Sequence, residues 1–198
     1  MIITPLSSLI GWLEILKLEN IEESTVTEIE KDINRLQTIT DRFSKIGSEP
    51  VLEKRDIIED TKNTVDYLQT RVSQQVNFYF KAPQHPVFVE INPALHSWTI
   101  ENLVKNAIDA MKGKGSLNIV ISELEDMVKI SISDTGKGIP KNQFTKVFEP
   151  GFTTKKRGWG LGLSLTKRIV QEYHKGKIKV VHSEIGKGTT MQISYKTT

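Results

Sequence analysis

The stretch ENLVKNAIDA, Glu101 to Ala110, places Asn102, Asn106 and Asp109 in one narrow sector of a helix, because successive residues advance by about 100°. Ile100, Leu103, Val104, Ala107, Ile108 and Met111 take the opposite side. Asparagine is a mediocre helix former, since its side chain competes for backbone hydrogen bonds, and a wet face is built more economically from Glu, Lys and Gln. The stripe is therefore either solvated surface or the wall of a polar site. Three later stretches bear on that choice. DTGKGIP at 134–140 sets Asp134 between a predicted strand and a glycine turn, where Asp is common but where its carboxylate can also accept a hydrogen bond from an amine. In FEPGFTTKK at 148–156 and its surroundings, Lys141, Lys146, Lys155, Lys156 and Arg157 face a single acid, Glu149. GWGLGLSL at 158–165 then leads Gly158, Gly160 and Gly162 into a helix beginning near Leu161, which offers backbone N–H groups and a positive helix end to an anion. Lys155 is the candidate for direct anion contact, whereas Lys156 and Arg157 also fit a solvated loop.

The elements that must hold these residues follow from periodicity. Apolar residues recur in steps of three and four at Ile2, Leu6, Leu9, Leu13 and Leu16, and again at Val26, Ile29, Ile33, Leu36 and Phe43, with Thr40 the weak position. Thr25 and Glu28 have capping-box spacing, so residues 1–47 read as a helical hairpin. Two such seams exceed what a lone hairpin can cover, which predicts a homodimer; packing of the hairpin on the rest of its own chain is the alternative. Gly47-Ser48-Glu49-Pro50 marks the boundary of a second domain, 48–198. There the pattern predicts a helix over 56–72, strands at 76–80 and 87–90, the Asn-bearing helix, and strands at 117–122 and 128–133 joined through an acidic turn. The aperiodic, glycine-rich stretch 135–160 is long for a connection in a compact domain, which marks it as functional. A helix over 161–173 and strands at 178–181 and 189–194 complete an α+β fold with a mostly antiparallel sheet.

Composition narrows the function classes. With 37% hydrophobic and 26% charged residues in 198, the chain is an ordinary globular one. No apolar run is long enough to span a bilayer and no signal peptide is evident, so no membrane contact is expected. The absence of cysteine excludes disulfides and thiolate metal sites and agrees with a reducing, cytoplasmic setting. His85, His96, His174 and His182 have no metal-site spacing, and a net charge of +3 without a basic aromatic stripe gives no reason to expect nucleic acid.

Taken in order, ENLVKNAIDA, DTGKGIP, FEPGFTTKK and GWGLGLSL resemble the N, G1, F and G2 boxes of the Bergerat-fold ATPases, and most closely the ATP-binding domain of sensor histidine kinases. The resemblance covers about residues 50–195, with Gly186-Lys187-Gly188-Thr189-Thr190 matching the family's terminal strand entry. It implies a two-layer α/β sandwich and ATP with Mg²⁺ as cofactors. It further implies that Asn106 coordinates Mg²⁺ with Asn102 beside it as the catalytic position, and that Asp109 faces the nucleotide edge or ordered water. Asp134 would accept from the adenine amine, with Thr189 helping to hold that edge. Gly136 and Gly138 would let backbone approach the base, and Ile139, Phe148, Lys155, Gly158, Gly160, Leu161 and Gly162 would complete the nucleotide site. Phe148 and Phe152 are read as ring anchors for the lid, and are also compatible with partner docking. Gyrase-like and Hsp90-like relatives place a glutamate at the position of Asn102 to activate water; an amide cannot do so, which favours phosphoryl transfer to a protein over hydrolysis. Trp159 departs from the family's usual Thr or Ser, and packing over the lid, capping the pocket and a neutral surface position all remain open.

MIITPLSSL is similar to the end of the kinases' acceptor motif, H-E-x-x-T-P-L, with Thr4, Pro5 and Leu6 in register. Met1 stands at the glutamate position, so the acceptor histidine is expected to precede it, and the chain is expected to bind Mg·ATP without phosphorylating itself. Thr4 carries over the family's weaker role in dephosphorylating a response regulator, whose receiver domain is the implied partner. A serine kinase of the anti-sigma-factor type and a nucleotide-binding pseudokinase or scaffold are the alternatives. The resemblance also allows this chain to be the cytoplasmic part of a membrane-anchored sensor.

Overall fold

The computed structural model describes residues 3–18, 25–27, 29–30, 33, 50–155 and 160–198. The chain divides into two compact units, Met1–Pro50 and Val51–Thr198.

In the first unit, α1 spans Ile3–Leu18, and residues 25–27, 29–30 and 33 are also helical. Leu13, Val26 and Ile33 bury against one another with Ile10 beside them. Lys17 on α1 donates to Glu14 at 3.0 Å and to Glu30 at 3.1 Å, tying the two helical segments at the surface. Leu9, Trp12, Ile15 and Ile29 stay exposed, Trp12 by 61%. Leu13 thus closes one apolar seam, while other apolar residues of the same helices remain uncovered. Glu28 of the expected capping box, and Ile2, Leu36, Thr40, Phe43 and the 47–49 boundary, lie outside the described residues.

The second unit begins with β1 (Glu53–Asp56) running into α2 (Ile57–Gln69). Asp56 caps α2 by accepting from Ile58 N at 3.1 Å, and the same carboxylate oxygen accepts from Val87 N at 3.1 Å. One side chain therefore starts a helix and pins the segment entering β3. After β2 (Val76–Lys81) and β3 (Phe88–Ile91) comes α3 (Pro93–Ala110). Asn92 is its N-cap, accepting from Leu95 N at 3.1 Å, and Pro93 opens the first turn, where a missing N–H costs nothing.

Strands β4 (Gly115–Leu124), β5 (Met127–Asp134), β6 (Lys177–Glu184) and β7 (Gly188–Lys196) join β2 in a five-stranded sheet ordered β2-β4-β5-β7-β6. Only the β2–β4 pair is parallel. Alternate residues Leu117, Ile119 and Ile121, then Val128, Ile130 and Ile132, then Met191, Ile193 and Tyr195 are buried in one core that also takes Ile100, Leu103, Val104 and Ala107 of α3. This is the expected two-layer sandwich with a mostly antiparallel sheet. Full burial of each aliphatic side chain contributes about 1.5–3 kcal/mol.

Three local features differ from the sequence reading. Strand β1 was not anticipated; it pairs with β3 in a separate antiparallel two-stranded sheet. Its residues Glu53, Lys54, Arg55 and Asp56 carry no apolar alternation. Helix α2 stops at Gln69, where Thr70 N donates to the Asp66 carbonyl at 3.4 Å and Arg71 N turns back to the Leu68 carbonyl at 3.0 Å. The last helix is α4 (Gly162–Arg168), which widens into a π turn over Ile169–Tyr173 closed by His174 N donating to Ile169 O at 3.0 Å. The wider turn carries His174 inward, where its Nε2 accepts from Asn92 N at 3.1 Å.

Candidate functional site

The inward face of α3, set by its Asn92 cap and its contacts with the sheet, turns Asn102, Asn106 and Asp109 the other way, toward the loops that follow β5. Those loops reach the stripe at several points. Lys155 Nζ donates to Asn106 Oδ1 at 2.8 Å and to Asp109 Oδ2 at 2.6 Å. Gly162 abuts Asn102: a Cβ added at Gly162 would lie 2.6 Å from Asn102 Oδ1. Lys137 N donates to the Ala110 carbonyl at 3.1 Å, which fixes the turn after β5 to the end of α3. Lys137 Nζ also reaches Thr154 Oγ1 at 2.7 Å, linking that turn to the segment bearing Lys155.

Behind this segment, Phe148 is buried and Phe152 is packed against the same core. Burial of the Phe148 ring is what an anchor at that position requires. The segment is further closed by Gly151 N donating to Gly160 O at 3.1 Å. Gly158 and Trp159 lie outside the described residues. Thr4 falls within α1, outside the residues whose side chains are described.

Asp134 ends β5 directly opposite Thr189 at the start of β7. Its Oδ1 accepts from Gly136 N at 2.7 Å. Partial burial raises the carboxyl above its ordinary value of 3.8, and backbone hydrogen bonds from Gly136 and Thr189 offset part of that shift. The carboxylate is thus preorganised, with capacity left for another donor. Ser183, on β6, joins the neighbouring strands: it accepts from Ile139 N at 2.7 Å, donates to Gly188 O at 3.0 Å and lies 2.9 Å from Thr189 Oγ1.

The glycines in the turn have a reason that spacing did not reveal. At Gly136 a Cβ would lie 2.6 Å from the Ala110 carbonyl carbon, and at Gly138, with φ of 75°, it would overlap the Glu184 carbonyl. Their missing side chains serve contact with protein backbone on both sides of the turn.

Sequence reading also missed Ser183, Lys137 and Thr166. Thr166 is fully buried in α4, and its Oγ1 lies 2.7 Å from Asn102 Nδ2. A threonine in the interior of an otherwise apolar helix face is a usable signal, since such a hydroxyl needs partners when buried.

The donor set suits a hard cation. Asn106 Oδ1 and Asp109 Oδ2 already gather around the positive charge of Lys155. Among the described residues no group of three or more His, Cys, Asp or Glu side chains forms a closed metal cage. One or two oxygen ligands from protein, with the rest from water and phosphate, is how Mg²⁺ is ordinarily bound at nucleotides.

Comparison with known proteins identifies the family. The profile of the histidine kinase-, DNA gyrase B- and HSP90-like ATPases matches residues 95–198. Sporulation kinase E of Bacillus subtilis (strain 168) is 30% identical over 200 residues, covering 96% of this chain and 26% of that protein. Sensor histidine kinase ZraS of Escherichia coli (strain K12) is 37% identical over 121 residues, covering 61% of this chain and 26% of that protein. The chain therefore spans about a quarter of the length of these relatives. Among solved structures, the catalytic domain of histidine kinase ThkA superposes with a TM-score of 0.66 at 26% identity, over 73% of this chain and 95% of that one. No helix among the described residues is long and apolar enough to cross a membrane. The chain belongs to the family of histidine kinase-, DNA gyrase B- and HSP90-like ATPases, and its α/β unit is an ATP-binding domain of the sensor histidine kinase kind.

Proposed function

We propose that this chain is the catalytic part of a two-component sensor histidine kinase, transferring the γ-phosphoryl group of ATP to a histidine for relay to the receiver domain of a response regulator. The observation that carries the reading is the pair of oxygens, Asn106 Oδ1 and Asp109 Oδ2, that meet the Lys155 ammonium where α3 faces the basic loop.

In this reading Asp134 accepts from the adenine amine, with Thr189 and the 136–139 turn forming the edge of the base site. Guanine presents a carbonyl where adenine presents that amine, so Asp134 favours ATP over GTP. Asn106 Oδ1 would hold Mg²⁺, which would supply charge neutralisation at the phosphates. Lys155 moves its hydrogen bonds from Asn106 and Asp109 to a phosphate oxygen. Phe148 holds the loop to the core, and Gly160, Leu161 and Gly162 present backbone to the phosphates. Asn102 has no basic group with which to activate water, so attack falls to an imidazole nitrogen: its bond to the γ-phosphorus forms as the bond from phosphorus to the bridging oxygen breaks, and ADP leaves.

The acceptor is a histidine supplied outside residues 1–198, because none of the four in this chain lies in an acceptor context. Residues 1–47 form the dimerising hairpin and 48–198 the catalytic domain, with Thr4 assisting dephosphorylation, in a cytoplasmic setting. Calorimetric titration with ATP and Mg²⁺, repeated with GTP, tests the reading. Binding of ATP well above that of GTP is expected; equal affinity, or none, overturns it. Incubation with γ-labelled ATP should leave this chain unlabelled, and label on histidine would refute the absence of an internal acceptor.

A further inference from the structure

We propose that Thr166 is a positioning residue that fixes which end of the Asn102 amide faces the phosphate side of the site. The inference rests on the reading of Asn102 as a site residue.

A threonine hydroxyl has one proton to give and two lone pairs to receive with. Thr166 Oγ1 donates that proton to the Gly162 carbonyl one turn earlier in α4, at 3.0 Å. A carbonyl can only accept, so the direction of this bond is not in question. The hydroxyl then faces Asn102 at 2.7 Å with lone pairs alone, and Asn102 must meet it with its NH₂ group. The flipped amide would either set carbonyl oxygen against lone pair or draw the proton off the Gly162 carbonyl, and each costs a hydrogen bond at a residue that is fully buried, where no water can compensate.

The consequence lies at the other end of the amide. With Nδ2 held by Thr166, Oδ1 is left beside the Cα of Gly162, close enough that a Cβ there would sit 2.6 Å away. No other described residue hydrogen-bonds Asn102 Oδ1. Asn102 and Asn106 are one turn apart on the same face of α3. Asn106 Oδ1 already receives a cation, and Thr166 makes Asn102 present the same polarity. An inverted Asn102 would point an NH₂ dipole at the metal side and attract phosphate instead. Thr166 thus selects for the metal-complexed nucleotide over the free one without touching either.

A merely structural threonine is the competing account, and valine separates the two because it keeps the shape and removes only the hydroxyl. Affinities of the whole chain for ATP are measured with Mg²⁺ and with Mg²⁺ chelated, for the parent, Thr166→Val and Thr166→Ser. The proposal expects Thr166→Val to lose about tenfold in Mg·ATP affinity, the scale of one hydrogen bond to a buried group, while metal-free ATP affinity changes less than about twofold. Thr166→Ser restores the parent ratio. Equal losses with and without Mg²⁺, an unchanged Thr166→Val, or failure of serine to rescue would each overturn it. Should the valine chain fail to fold, Thr166→Cys, whose thiol is a weak acceptor, takes its place with the same expected loss. A parent chain that binds no ATP in either condition overturns the kinase reading itself and this inference with it, an outcome distinct from the others.

Discussion

Lys155 and Asp109, far apart in sequence, form an ion pair with Nζ to Oδ2 at 2.6 Å, and Asn106 Oδ1 shares the same ammonium at 2.8 Å. The side chains are 41% and 55% exposed, so water competes for both charges and the pair is worth at most about 1 kcal/mol. That is small beside what a lysine gains from a nucleotide phosphate in a site walled by protein. The contact therefore holds the basic segment near α3, and in the proposed reading it yields to a phosphate.

Lys155→Met should consequently weaken Mg·ATP binding by about tenfold and leave the thermal midpoint within about 2 °C of the parent. Titration calorimetry and a thermal scan check the two halves. An unchanged or higher affinity would mean that Lys155 obstructs the site and contributes nothing to the phosphates.

In the proposed reading, Asp134 sets function against stability. Its folded-state carboxyl is raised by burial, so in the unliganded chain it favours the protonated form more than in the unfolded chain. The contribution to stability is complete below the unfolded value, near 3.8, and is lost as pH rises through the raised folded value. Asp134→Asn removes the charge and keeps an oxygen for the N–H groups of Gly136 and Thr189. The variant should be as stable as the parent or more so at pH 7, with its advantage shrinking toward pH 4, and should lose ATP affinity by at least about tenfold. Denaturant unfolding at several pH values reads the first part. A variant that is destabilised at pH 7 contradicts it.

How far these residues were legible depended on whether their partners lie nearby in the chain. The stripe of Asn102, Asn106 and Asp109 and the alternation of Leu117, Ile119 and Ile121 are local patterns, and the helix and strands that carry them were readable for that reason. Strand β1 was not, because Glu53–Asp56 holds its place by pairing with Phe88–Ile91 and not by any apolar period. The π turn depends on His174 meeting Asn92, distant in sequence. The partnership of Thr166 with Asn102 also spans two elements, and no spacing rule announces it. At Gly136 and Gly138 composition marked the need for glycine, whereas the backbone atoms that require it, in Ala110 and Glu184, were visible only in three dimensions.

The uncovered apolar residues of α1 predict self-association. Trp12 is 61% exposed and Leu9 44%, on a helix whose Leu13 is already buried against Val26 and Ile33. Burying such side chains against a second copy gains about 1.5–3 kcal/mol each. Sedimentation should show a concentration-dependent dimer, and Trp12→Glu combined with Leu9→Glu should shift it to monomer while ATP binding stays unchanged. A parent that is monomeric at all concentrations would remove the dimer from the reading.

The buried histidines predict sensitivity to acid. His96 is fully buried with Nε2 2.9 Å from Thr61 Oγ1, and both its ring and that of His174 meet Tyr195 edge-on at centroid distances of 5.9 and 5.7 Å. Burial, followed by the proximity of His174, depresses His96 from 6.5 to about 3, with Asp60 pulling weakly the other way; burial alone depresses His174 from 6.5 to about 4. Both groups bind protons more readily in the unfolded chain, so their stability contribution is complete above 6.5 and is lost as pH falls through the folded values. Each histidine contributes a slope of up to about 1.4 kcal/mol per pH unit across that window. His174→Gln keeps an acceptor for the Asn92 N–H and cannot charge, so it should flatten the acid flank by about one proton's worth of slope. Urea unfolding at pH 7, 6, 5 and 4.5 measures this directly, and a parent whose stability is flat from pH 7 to 5 would show that neither ring is held neutral.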